Sequence, residues 1–313
     1  MDKTFVPLTV PSAMRGQFRK NYSIATGASG RLLLLAGDQK VEHLNDDFFG
    51  QGIAKEDASP EHLFQIASQS PCVLATQLGL IAAYGQKYRR LPYLVKLNGR
   101  TNLYNDKDKL LSSAWTKVEQ VARFKKDSGL NIVGIGYTVY LGGEYESKML
   151  KEAAKAVLQA HEKGLIAVIW MYPRNKAIKD DTNPHLLAGA AGVAAALGAD
   201  FVKIKYPESA AKAKRMEEAI LAAGRTKVIF AGGAKQGVKE FLEQSAFQVS
   251  SLQAGGLAIG RNLHQRSLKE AGSFLKALGE IVYKKTDAKH AHQVFQGKAK
   301  PTRSKDGLLF GLF

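Results

Sequence analysis

The stretch Gly164-Leu165-Ile166-Ala167-Val168-Ile169-Trp170-Met171-Tyr172-Pro173-Arg174, then Pro184–Leu197, then Gly198-Ala199-Asp200-Phe201-Val202-Lys203-Ile204-Lys205-Tyr206, decides the fold. Ala167–Met171 and Phe201–Ile204 are short apolar runs that read as strands. The alanine- and leucine-rich run between them reads as a helix, and Gly198 ends it. Two strands joined by a helix lie parallel, because only a crossover returns the chain to the same end of a sheet. The same unit recurs in both directions. Candidate strands are Leu32–Gly37, Cys72–Thr76, Tyr93–Leu97, Ile132–Tyr137, Lys227–Ala231 and Gly256–Ile259, which with the first two make eight. Helix-like segments at Lys107–Lys126, Glu146–Lys163, Glu208–Ala223 and Gln236–Gln248 fall between them, and Gly129, Gly164 and Gly224 punctuate as Gly198 does. Eight strand-then-helix units predict a (β/α)8 TIM barrel of the α/β class.

A chain of 313 residues suits such a barrel as one unit. No repeat or Pro/Ser-rich linker divides it, so residues 1–313 are read as a single domain. The barrel core is expected at about 31–280, with an N-terminal extension placed to cover the barrel bottom. An irregular C-terminal arm is expected at about 286–313, where no strong periodicity persists.

Composition narrows the function. One cysteine, Cys72, precludes a disulfide framework within the chain, and its apolar setting reads as a buried thiol. No apolar h-region opens the sequence, and no window reaches roughly 18 uninterrupted apolar residues, so the expectation is a cytoplasmic protein without a membrane partner. The net charge of +17 is spread over helix-surface lysines and a tail cluster that includes Lys284, Lys285, Lys289, Lys298, Lys300, Arg303 and Lys305. Without aromatic–basic interleaving this reads as a solvated basic surface around an enzyme for anionic metabolites, with no dedicated nucleic-acid partner. The seven histidines are scattered, so neither a metal site nor another cofactor is expected.

Barrel enzymes place chemistry at the C-terminal ends of the strands. Lys203 interrupts an apolar strand, where a lone lysine is costly to bury. Either it forms an internal ion pair, with Asp38 or Asp200, or burial and a nearby cation keep it neutral and nucleophilic. Lys205, two residues on and on the same face, is the candidate cation, and Lys96 on strand three carries the same two readings. Asp38, after strand one, is placed to orient the lysine and move protons during carbonyl chemistry, or else to cap a helix or serve as a plain salt-bridge partner. Tyr172 offers a phenol, Trp170 an aromatic wall, and His43 lies within reach of substrate. Gly232-Gly233 and Gly260-Arg261 form turns after strands seven and eight, where barrels often bind phosphate.

Together these strand ends resemble the DhnA-type (archaeal-type) class I fructose-1,6-bisphosphate aldolase family. The matching stretches are Ala36-Gly37-Asp38 with Glu42-His43, Lys96-Leu97-Asn98-Gly99, Gly136 to Gly142, Trp170 to Arg174, Asp200 to Lys203, Gly232 to Lys235 and Gly260-Arg261-Asn262, in order across Leu32 to Leu278. The resemblance implies that Lys203, rather than Lys205, is the Schiff-base lysine, because the family carries it at a fixed distance beyond a Trp-x-Tyr motif. It further implies that Asp38 assists, that Tyr172 transfers protons, that Trp170 lines the site, and that the last two turns hold phosphate. Arg174, Lys205 and Lys235 complete the candidate anion contacts. The expected substrate is a phosphorylated sugar, fructose 1,6-bisphosphate, and the expected assembly a homo-oligomer. The family usually reads Asp-His-Gly after strand one. Here Asp38-Gln39-Lys40 puts a long cation, Lys40, near the mouth, where it would touch the distal phosphate or alter which substrate fits. Sister Schiff-base activities, of the aminodideoxyheptulosonate synthase or phospho-autoinducer-2 thiolase type, are the alternatives. From another class, the alternative is a non-catalytic basic RNA-binding barrel.

Overall fold

The computed structural model describes residues 4–104 and 106–302. Eight parallel strands close into a barrel: β1 (Leu32–Ala36), β2 (Val73–Gln77), β3 (Tyr93–Lys96), β4 (Ile132–Leu141), β5 (Ile166–Pro173), β6 (Phe201–Ile204), β7 (Lys227–Ala231) and β8 (Gly256–Ile259). Each pairs with the next, and β8 pairs with β1. Strand periodicity sorts their side chains. Leu32, Leu34, Leu94, Val168, Trp170, Phe201 and Ile229 fill the barrel interior, while Leu33, Leu35, Val95, Ile169, Val202 and Phe230 pack outward against the helices. By the same parity Lys96, two residues after Leu94, and Lys203, two after Phe201, fall on the interior side.

Two glycines make this geometry possible. At Gly136 a β-carbon would lie 2.5 Å from the Trp170 ring, so only glycine leaves the ring its place. At Gly256, where φ is +137°, a β-carbon would meet the Leu32 carbonyl oxygen at 1.9 Å, so the β8–β1 seam closes only around glycine.

The N-terminal extension covers the barrel bottom as expected. Phe18, Asn21 and Ala25 of the helix Arg15–Thr26 are buried there. Tyr22 stacks on Phe201 at 5.6 Å, and Asn21 donates to the Gly164 carbonyl at 2.7 Å. Cys72 is buried just before β2, and burial pushes its thiol up to about 12, which makes it inert at neutral pH.

Three segments differ from the sequence reading. The helix read at Lys107–Lys126 is confined to Val118–Ser128. The preceding residues form a loop tucked inward, where the Ser112 carbonyl accepts from Asn98 at 2.7 Å and from Tyr137 at 3.1 Å. The helix read at Glu208–Ala223 is broken into Ala210–Lys214 and Glu217–Ala223. The segment after Thr286 contains a helix, Ala288–Phe295, capped by Asp287 and packed on the helix Leu268–Lys284 through Phe295 and Phe274. Two turns are too few to establish a periodicity, and tertiary packing makes this helix. Arg303 and Lys305 of the basic tail lie outside the described residues.

Candidate active site

A cavity of about 640 Å³ opens at the C-terminal ends of the strands. Its walls gather Asp38 from the β1 end, Trp170, Tyr172 and Arg174 from β5, Lys203 and Lys205 from β6, Gly232 and Gly233 after β7, and Gly260 and Arg261 after β8, with His43 at the edge. Two candidates lie elsewhere. Lys40 turns to Asn45, at 3.3 Å, and over the Phe48 ring. Lys235 donates to the carbonyls of Gly52 and Gln265, at 2.8 and 3.1 Å. The distal-phosphate contact read for Lys40 therefore has no support in this arrangement. The sequence showed a long cation near the mouth but not which way the chain directs it.

Two lysines approach the Trp170 indole. The Lys96 ammonium lies 5.0 Å from the indole centroid and the Lys203 ammonium 5.2 Å from it. Both lysines are buried, at 2% and 5% exposure, yet their surroundings differ. Lys96 donates to Thr138 Oγ1 at 2.7 Å and to both oxygens of Asn98 at 3.3 Å, and lies 3.6 Å from Asp38 Oδ2. Lys203 makes no hydrogen bond or ion pair among the described residues. The choice left open by the sequence thus falls differently for the two residues: the ion pair with Asp38 belongs to Lys96. Asp200, the other partner considered for Lys203, accepts from His161 and from the Ala167 backbone N–H instead.

Burial holds the Lys203 amine below its ordinary value, and Arg261 pushes the same way, against Asp38 and Glu42. Lys205 is not the cation at work here. It is bound by Asp181 at the cavity rim, just as Lys212 is bound by Asp180 at 2.8 Å. Asp38 precedes the short helix Gln39–Glu42 but makes no side-chain cap. Its Oδ1 is buried without a hydrogen-bond partner among the described residues, which leaves that oxygen free to exchange a proton.

Tyr172 stacks on Tyr140, whose hydroxyl donates to Glu42 Oε1 at 2.8 Å. Burial, and then the charges of Glu42 and Asp38, raise the Tyr172 phenol well above its usual value, so it rests as a neutral donor. Across the cavity, Asn262 donates to the carbonyls of Gly232 and Ala234, at 2.9 and 2.7 Å, and accepts from Gln236 N–H. One buried amide thus ties together the two glycine turns. Arg261 stands beside them, with Asp47 3.8 Å away, and His43 is held by the same Asp47, which raises its imidazole. Among the described residues, no group of three or more His, Cys, Asp or Glu is arranged to hold a metal ion.

Sequence reasoning did not select Lys96, Glu42, Gln39 or Lys212 as site residues. Lys96 had a legible signal, a lone lysine in an apolar strand, identical to that of Lys203. Gln39 and Lys212 carried none, because polar residues near strand ends are ordinary on any surface, and Glu42 was marked only by its place in the family-like pair Glu42-His43.

A closed barrel with a lysine-centred, cation-rimmed cavity at its catalytic end defines an aldolase-type barrel, and comparison with known proteins agrees. Residues 32–266 match the model of the DeoC/LacD family aldolases. A protein of Methanocaldococcus jannaschii, named fructose-bisphosphate aldolase/6-deoxy-5-ketofructose 1-phosphate synthase, is 51% identical over 94% of this chain and 95% of its own. The structure of a fructose-bisphosphate aldolase from Slackia heliotrinireducens is 46% identical and superposes with a TM-score of 0.94 over 98% of both chains. An archaeal fructose-1,6-bisphosphate aldolase, described with its catalytic lysine covalently bound to the carbinolamine intermediate, is 31% identical, with a TM-score of 0.72 over 85% of this chain and 99% of its own. The chain belongs to the DeoC/LacD aldolase family and is a lyase. Within it, the chain falls in the family of the archaeal-type class I fructose-bisphosphate aldolases.

Proposed function

We propose that the protein cleaves fructose 1,6-bisphosphate reversibly to dihydroxyacetone phosphate and glyceraldehyde 3-phosphate through a Schiff base on Lys203. The observation that carries this reading is the state of Lys203: buried, unpaired among the described residues, lowered toward its neutral form, and exposed on one side to a cavity with Arg261, Lys205 and Arg174 in its walls. The neutral amine attacks the C2 ketone, and the carbinolamine loses its hydroxyl as water, with Asp38 relaying to that hydroxyl a proton taken up from solvent. The iminium then takes up the electron pair of the breaking C3–C4 bond as an enamine, and the C4 hydroxyl proton leaves through Tyr172. A neutral phenol suits the reverse direction directly, donating to the aldehyde oxygen as the bond forms. In cleavage the phenol first passes its own proton to solvent, the new iminium cation offsetting the cost that burial, Glu42 and Asp38 impose on the phenolate, and the phenolate then accepts the C4 hydroxyl proton. Protonation of the enamine at C3 and hydrolysis by water regenerate Lys203. The polarisation a metal would supply comes from the iminium.

The name of the Methanocaldococcus relative favours a second activity at the same site. Cleaving the C3–C4 bond of 6-deoxy-5-ketofructose 1-phosphate would give the same enamine and a small 2-oxo aldehyde, so one lysine serves both reactions and only the aldehyde differs.

The test is borohydride trapping in the presence of EDTA, with peptide mapping by mass spectrometry. A reduced adduct on Lys203, with cleavage products in the untrapped reaction, is the expected result. An adduct on Lys205 reassigns the nucleophile, and trapping only with a different ketone phosphate moves the protein to a sister activity. No adduct with any ketose phosphate, together with salt-sensitive RNA binding, would favour a non-catalytic barrel.

A further inference from the structure

The barrel end opposite the active site carries an unusual charge distribution. Two adjoining cavities, of about 750 and 450 Å³, share the walls Phe5, Ser29, Arg225, Thr226 and Lys227, where the N-terminal extension meets the loops leading into β1 and β7. The smaller one also takes in Arg31 and Lys285. None of these four cations forms an ion pair with a carboxylate among the described residues. Their contacts are neutral ones. Lys227 donates to the Gly30 carbonyl at 2.6 Å and lies 5.7 Å from the Tyr22 ring centroid. Arg225 lies over Phe5 at 4.5 Å. Arg31 donates to the carbonyls of Val282 and Tyr283, and Lys285 donates to Gln253 Oε1 at 3.0 Å. The carboxylate on the wall of the larger cavity, Asp200, is already bound by His161 and the Ala167 N–H.

Elsewhere several buried or half-buried lysines are answered by an acid, with Lys203 in the active site and Lys125, which donates to Asn21 Oδ1 and the Ile132 carbonyl, as exceptions. Lys96 faces Asp38, Lys205 has Asp181 and Lys212 has Asp180. At this end Lys227 is lowered by burial and then by the neighbouring Arg31, with no acid to offset them, and burial lowers Arg31 as well. Like charges gathered into a partly dry cleft cost stability unless an anion enters. Both volumes fall in the range of small-ligand sites, roughly 300–1,000 Å³.

We propose that this cleft at the N-terminal end of the barrel is a second binding site, distinct from the active site, for a small polyanion: a metabolite bearing phosphate groups or several carboxylates. Arg225 and Lys227, common to both cavities, grip the anion. Arg31 and Lys285 set the field on one side, and the Phe5 ring packs against the Arg225 guanidinium.

Calorimetric titration with pyrophosphate and with citrate separates the two sources of negative charge. It is run on the wild-type protein and on Arg225→Ala, Lys285→Asn and Arg261→Ala. Arg225 and Lys285 are exposed, so their replacement leaves the barrel intact, and asparagine tolerates the left-handed backbone at position 285. The expected result is that one or both anions bind the wild type, that Arg225→Ala weakens this binding about tenfold or more and Lys285→Asn weakens it less, that Arg261→Ala retains it, and that Arg225→Ala leaves turnover unchanged. Failure of both anions to bind the wild type overturns the proposal. So does binding that Arg225→Ala leaves unchanged, or that Arg261→Ala alone abolishes, since the latter places the anion in the active-site cavity.

Discussion

The β3 and β6 walls of the barrel each bring a buried lysine to one indole ring, at 5.0 and 5.2 Å from its centroid. On β3, Lys96 is held by Thr138, both oxygens of Asn98 and the Asp38 carboxylate. On β6, Lys203 has only the face of Trp170 and the open cavity. Burial lowers both amines, with Asp38 the leading opposing charge in each case. What separates them is saturation. A lysine whose protons are all spoken for is a structural cation that fixes its neighbours. A lysine left without partners is a poor structural element and a good nucleophile. The difference teaches that a buried lysine is judged by its partners rather than by its depth.

The largest effect expected from this comparison is on Lys203. Replacing it with methionine lowers turnover by roughly 10⁴-fold or more, as loss of a covalent nucleophile does. It also raises stability at neutral pH by roughly 1–4 kcal/mol, because an unpaired buried amine gives way to an apolar chain of similar size. The sign follows from proton binding. With the folded amine below its unfolded value, the unfolded chain holds more protons across the window between the two. Wild-type stability therefore rises with pH through that window, and the variant lacks this rise. Denaturant titration read beside kcat checks both parts, and a variant that loses stability as well as activity would make Lys203 a structural cation like Lys96.

Next is Lys96. Lys96→Met strands the Asp38 carboxylate in the barrel and destabilises the protein by about 3–5 kcal/mol. Adding Asp38→Asn to it recovers much of the loss. If the single variant unfolds at the wild-type denaturant midpoint, the contrast between the two walls is wrong.

The smallest effect sharpens the electrostatics. Glu42 raises the Lys203 amine, so Glu42→Gln, which keeps an acceptor for Tyr140, lowers that amine further. The acid limb of the kcat/KM profile, where Lys203 takes up a proton and stops reacting, then moves to lower pH. A limb that stays in place or moves upward means that another group governs it.

Much of this was legible in the sequence. Strands β6, β7 and β8 coincide with their readings, and the other five differ by no more than four residues at either end, because short apolar runs between helices can be little else in a parallel barrel. Lys203, Asp38, Tyr172, Trp170 and Arg261 were selectable because each sits at a strand end, and the barrel brings strand ends together. The helix at Ala288–Phe295 was not legible, since eight residues have no stable periodicity without the Leu268–Lys284 helix to pack against. Nor was the outward turn of Lys40 and Lys235, whose loops answer to Asn45, Gly52 and Gln265 rather than to local pattern.

By itself the sequence determined the barrel, its eight strands and the set of polar residues delivered to the catalytic end, because hydrophobic period and strand parity are properties of neighbouring residues along the chain. Only the tertiary structure decided which lysine Asp38 would neutralise, which cations would line the cavity, and that a second group of cations would gather unanswered at the opposite end. Ion pairing and desolvation depend on residues far apart along the chain, Lys96 with Asp38 and Arg31 with Tyr283 among them, and no local pattern records them.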